Sequence, residues 1–140
     1  LNFYAIATHP WAYPALEVVH LLGVGLILGN LVLLELRVFG LGRQIPIAPL
    51  AALGLPLVIA GACLAAGSGI IMFTTQPAEL LANRAFTMKL GLLLLAACNA
   101  AWFHARGSLK LLDGTARLSA SISLILWLAI LALGRWIAYY

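Results

Sequence analysis

Charge is what this sequence has least of. Eight Lys or Arg and four Asp or Glu make up 9% of its 140 residues, where a soluble domain carries about a quarter. That deficit excludes an ordinary water-soluble domain and selects a membrane class. The net charge of +4 is spread over the ends of apolar stretches, so it is no nucleic-acid footprint. The two cysteines, Cys63 and Cys98, both fall inside apolar segments, where thiols read as small packing residues; a disulfide framework is not expected. Phosphate-binding loops, zinc spacings, nucleophile elbows and paired hydrolase carboxylates are all missing. Turnover of a soluble substrate is therefore not expected, and electron transfer or metal handling fits better. Without a basic n-region or a small-residue cleavage site, the first apolar stretch reads as a retained helix, not a removable signal peptide.

What is present is apolar surface: 64% of the chain is hydrophobic. Four stretches, about 14–39, 50–73, 84–105 and 118–139, are each long enough to cross a bilayer. They predict an all-α fold, an integral membrane four-helix up-down bundle forming a single transmembrane domain over residues 1–140. Phe3, Tyr4, Trp11 and Tyr13 before the first span, and Trp136, Tyr139 and Tyr140 at the last, fit interfacial aromatic belts. The first helix, PALEVVHLLGVGLILGNLVLLELRVFG, has two special faces. Glu17, His20, Gly23, Ile27, Asn30 and Leu34 fall on one side, and Gly25 and Gly29 form a G-x-x-x-G on the other. The glycines permit a close contact with another helix of the bundle or another subunit. In helix 2, Gly54, Gly61, Ala65, Ser68 and Met72 share a small-residue stripe. Pro77 opens a short interfacial turn, Asn83 is a candidate N-cap for helix 3 and Gly107 a natural stop. Ser108–Arg117 reads as a loop with an Asp113-Gly114 turn.

Ionisable groups in hydrocarbon are costly unless they lie near an interface, face the protein interior or work. His20 and His104 suggest a haem held between helices. However, helices 1 and 3 run in the same direction. His20 and His104 then differ in depth by roughly 20 Å at 1.5 Å per residue, too far to share one iron. A site must belong to one pole. At the terminal pole, taken as the outer one, His20 shares a level with Met72 and Met88. Lys89 and Arg135 stand by to hold haem propionates. His with Met is an axial pair for haem, and His with thioethers suits copper(I). The alternative there is structural: Glu17 pairs with Arg135 or Lys89, His20 bonds a carbonyl or serine, and the methionines fill space. At the inner pole His104 is the candidate ligand. Glu35 and Arg37 are expected to pair with each other or with Arg106, Lys110 or Arg117. Asn30, Asn99 and the serines of helix 4 are expected to bond across helices.

Four features together resemble a family of small bacterial four-helix membrane proteins, loosely similar to the copper-resistance CopD membrane domain. They are HLLGVGLILGNLVLLELRVFGLG, NRAFTMKLGLLLLAACNAAWFH, SLILWLAILALGRWIAY and the glycine-rich helix 2. The resemblance implies a bacterial inner-membrane protein and copper handling at the outer pole, on His20, Met72 and Met88. The expected function is thus a membrane redox or metal-handling component holding haem b or copper. Its rival is a cofactor-free accessory or structural subunit of a larger complex, or a homo-oligomer built through Gly25 and Gly29. A small transporter is a third reading, which no broken helix pair or inverted repeat supports.

Basic residues set the expected orientation. Arg37, Arg43, Arg106, Lys110 and Arg117 lie around the 1–2 and 3–4 connections, against Arg84, Lys89 and Arg135 at the opposite end. The positive-inside rule then puts both termini outside. A cysteine at Gln44 should react only with reagents on the cytoplasmic side, and one at Asn2 only from the other side. Labelling of both from one side would break the four-span topology.

Overall fold

A computed structural model describes residues 9–137, and every regular element among them is helical. The helices are α1 (Ala12–Val38), α2 (Ile47–Thr75), α3 (Pro77–Ala82), α4 (Arg84–Ala105), α5 (Ser108–Leu111) and α6 (Gly114–Trp136). Four are long and apolar enough to span a membrane. At 1.5 Å per residue their lengths run from about 33 to about 44 Å, against roughly 30 Å of hydrocarbon. The chain is a multi-pass membrane protein with an all-α, four-helix bundle. Leu21, Leu22, Ile59, Leu94 and Ile125 point outward, as lipid-facing side chains should. Asn2 and the belt residues Phe3, Tyr4, Tyr139 and Tyr140 lie outside the described residues.

The bundle is two antiparallel pairs, α1 with α2 and α4 with α6, joined mainly through α1 and α6. Lipid tails are as apolar as leucine, so helices in a bilayer associate by close packing and polar contacts, not by water exclusion. The small-residue stripe of α2 supplies that closeness. A Cβ placed on Gly23 would fall 2.6 Å from both the Gly61 carbonyl oxygen and the Ala65 nitrogen. One placed on Gly61 would fall 2.6 Å from the Gly23 carbonyl oxygen. The two backbones cross with room for hydrogen alone. Lower down, Gly54 receives Leu34 and the side chain of Asn30. The crossing therefore uses the face of α1 that also bears His20. Gly25 and Gly29 make no such contact within the chain, because a Cβ on either would meet nothing within 4 Å.

Local signals set most of the helix ends. Asn83 caps α4, its side-chain oxygen accepting from the Ala85 and Phe86 amides, while its Nδ2 donates to the Ile137 carbonyl. Gly107 stops α4 with φ +68°, a left-handed corner that glycine takes without a Cβ penalty. The last long helix starts earlier than the sequence suggests. Asp113 does not end a loop turn; it accepts from the Ala116 amide at 2.8 Å and caps α6, so residues 114–117 form its first turn. The supposed loop before it contains α5.

Adding a methyl group tests the crossing. Gly23→Ala and Gly61→Ala meet backbone that cannot rotate away, so each should cost about 1–3 kcal/mol or more. Gly25→Ala and Gly29→Ala should leave the monomer unchanged or gain up to about 1 kcal/mol of helix propensity. Thermal unfolding in detergent would separate the pairs; equal losses at all four positions would show that the Gly23–Gly61 crossing does not set the helix spacing.

Candidate functional site

Two clusters of polar residues lie in the bundle, one at each pole. At the terminal pole the His20 ring lies across α2, with Nδ1 2.9 Å from the Ala65 carbonyl oxygen and 3.3 Å from Ser68 Oγ. The absent side chain of Gly69 leaves room for it; a Cβ there would sit 3.5 Å from His20 Cε1. A carbonyl only accepts, so Nδ1 carries the hydrogen, and in the neutral ring Nε2 keeps the lone pair. Ser68 directs its own hydroxyl to the Leu64 carbonyl at 2.6 Å. Lys89 reaches inward against Gly134 of α6, within electrostatic range of His20.

The other expected ligands are arranged less favourably. Met72 is half-buried, but Met88 turns outward with 54% of its surface exposed. Successive helical residues diverge by about 100°, so Met88 and Lys89 cannot both face the bundle interior. Arg135 is exposed at the end of α6. His104 lies at the opposite pole, exposed, with its ring edge-on to Phe103 at a centroid distance of 5.2 Å. Among the described residues, no group of three or more His, Cys, Asp or Glu could hold a metal ion.

The loop pole contains a cluster that was not foreseen. Glu35 is only 7% exposed, and its Oε2 has no hydrogen-bond partner. The expected ion pair with Arg37 is absent: residues two apart on a helix do not face each other, and Arg37 Nε donates to the Ile45 carbonyl at 2.7 Å. Arg106 is also engaged elsewhere, binding Asp113 Oδ2 at 2.9 Å and Ser108 Oγ at 3.2 Å. The carboxyl group instead borders a cavity of about 60 Å³, mostly apolar, with Asn99, Ser119, Ser123 and His104 among its lining residues. Ser123 of α6 faces the carboxyl directly. Asn99 and Ser119 are mutually satisfied, Asn99 Nδ2 donating to the Ser119 carbonyl and Ser119 Oγ donating to Asn99 Oδ1, each at 2.9 Å. Asn30, by contrast, stays within its own helix and donates to the Leu26 carbonyl, as Ser121 does to that of Arg117. The sequence signal for Glu35 was its spacing from Leu31 and Val38, which share its α6-facing stripe.

Compared with protein-family models, with curated proteins and with solved structures, the chain matches none.

Val38, Ala116 and Ala120 form a small buried core with Phe103, Leu109 and Leu112 packed on it, and Val38, Ala120, Phe103 and Leu109 also line the cavity. The Arg106–Asp113 ion pair lies at the same end of the bundle. The Ala116 amide, and then the Arg106 guanidinium, hold the Asp113 carboxyl below the usual carboxylate range. A depressed carboxyl pKa contributes stability that is complete above the unfolded value, near 4, and is lost as pH falls through the lower folded value. Hydrogen exchange across residues 106–113 should accelerate at that acid limb in the wild type. Asp113→Asn keeps a capping oxygen but cannot titrate, so its exchange should show no such acid step. An identical step in both would place the acid sensitivity elsewhere.

Proposed function

We propose that this chain is a membrane-embedded subunit that works as a homo-oligomer, with α1 packed against α1 of a second copy across Gly25 and Gly29. One observation carries the proposal: on that face an added Cβ would meet nothing within 4 Å, although the helix offers two glycines one turn apart. Glycine spacing of this kind lets two backbones approach, and it pairs best with an identical face, as a two-fold axis provides. The low internal burial of the spans supports it, with 11% of the α1 window and 6% of the α4 window buried inside the chain. The same proposal places the protein in a bacterial inner membrane, with the basic loop pole in the cytoplasm and both termini outside.

A specific observation favours a second reading, in which the terminal pole holds haem b or copper. His20 has its tautomer fixed by the Ala65 carbonyl, as metal-bound imidazoles commonly do, and Lys89 offers a cation nearby. The residues present fit such a group only in part. One chain offers a single oriented nitrogen, and the outward Met88 does not complete the set.

Two measurements on the purified protein separate these readings. Gly25→Leu and Gly29→Leu should reduce the oligomer to folded monomers by native mass spectrometry. Unchanged assembly would overturn the homo-oligomer, and co-purification of the wild type with different subunits would replace it with a mixed complex. A visible spectrum before and after dithionite, with copper analysis, tests the second reading. His20→Ala should abolish any Soret band or bound copper, while His104→Ala leaves it in place.

A further inference from the structure

We propose that Glu35 is a proton-binding carboxyl group inside the membrane domain, loaded from the aqueous phase at the loop pole through the cavity it borders. The inference goes beyond the oligomer and does not depend on it.

Glu35 lies about one helical turn from the end of α1, but it is buried beside a cavity lined mainly by α4 and α6. An ionised carboxylate held there with an unpartnered oxygen lacks the hydrogen bonds that would offset its desolvation. A counter-cation would resolve the problem, yet the nearby basic groups are placed elsewhere. On α1, Arg37 is turned to the Ile45 carbonyl. On α4, Arg106 is taken by Asp113 and Ser108. Lys110 of α5 and Arg117 of α6 are exposed, and α2 contributes Leu55 to the wall. His104 is the other titratable residue lining the cavity, and it is exposed.

The cavity supplies the route. One water needs roughly 10–15 Å³ of such space together with two to four polar partners. The cavity offers about 60 Å³ among mostly apolar side chains; Asn99 and Ser119 are bonded to each other, so Ser123, His104 and the carboxyl group itself are the polar partners left for water. Water entering beside the exposed His104 can bring a proton to the carboxyl group. The step is a simple protonation. A carboxylate lone pair accepts a proton from hydronium in that water: one O–H bond of hydronium breaks, the carboxyl O–H bond forms, the negative charge is discharged and neutral water is left. No electron moves.

The test uses the full chain in lipid nanodiscs and infrared pH-difference spectra. The chain has three glutamates, Glu17, Glu35 and Glu79, of which Glu17 and Glu79 are exposed. In a Glu17→Gln, Glu79→Gln double variant grown with carbon-13 glutamate, the labelled carboxyl signal comes from Glu35 alone. A label-sensitive C=O band of a protonated carboxyl should emerge on acidification and be lost in Glu35→Gln. The double variant reports on Glu35 even if Glu35→Gln fails to fold. Ala100→Leu, at the cavity wall, should slow deuterium exchange of that group several-fold without removing the band. A band present at every pH, or at none, would overturn the proposal. So would a midpoint that follows sodium concentration, which would make the site a metal-cation site. A band that titrates while its exchange rate ignores Ala100→Leu would overturn the cavity route.

Discussion

The arrangement depends on one contact, the crossing of α1 over α2 where Gly23 and Gly61 let backbone meet backbone. In water such a pair would also be held by apolar burial. In lipid, dispersion at very short range and a few polar contacts must suffice. The crossing has two local effects. It lays His20 on the Ala65 carbonyl near one end and seats Leu34 on Gly54 near the other. It also decides what the rest of α1 can do. With one face committed to α2, the stripe through Leu31, Glu35 and Val38 turns toward α6.

Polar groups within the spans are settled mostly by neutral hydrogen bonds. Asn99 and Ser119 exchange two, Asn30 and Ser121 bond within their own helices, and His20 uses a carbonyl. The clasp between Arg106 and Asp113 lies at the end of the bundle, where both partners remain partly exposed. This division follows from desolvation, which penalises a buried ion pair far more than a buried amide pair. Glu35 is the exception, since burial leaves one of its oxygens unanswered.

Much of this was legible in the residues. Four long apolar stretches announce four spans, and Asn83, Pro77 and Gly107 mark local structure by short-range chemistry that needs no tertiary context. The glycines were harder to place. Gly25 and Gly29 form the recognisable motif, but the close contact falls on Gly23, whose partners in α2 become visible only when the helices are docked. Asp113 reads in the sequence as part of a turn because Asp-Gly serves turns and caps alike. The candidate site was the least legible part. A glutamate near a helix end can normally reach water, and only the packing of the other helices around it removes that option. Met88 shows the converse: it lies at a suitable depth, but its angular position on α4 turns it outward.

The bonds of Asn83 have a mechanical consequence. Asn83 holds the Ile137 carbonyl at one end of the α4/α6 pair, and Asn99 grips Ser119 about 24 Å further along α4. Sliding one helix past the other would break both fastenings together. The Gly23–Gly61 contact locks α1 to α2 just as firmly by shape. Each pair is therefore a stiff leaf, and the line along which the leaves can flex is the seam between α1 and α6. That seam is where Glu35 faces Ser123, so any bending of the molecule would be felt at its buried carboxyl.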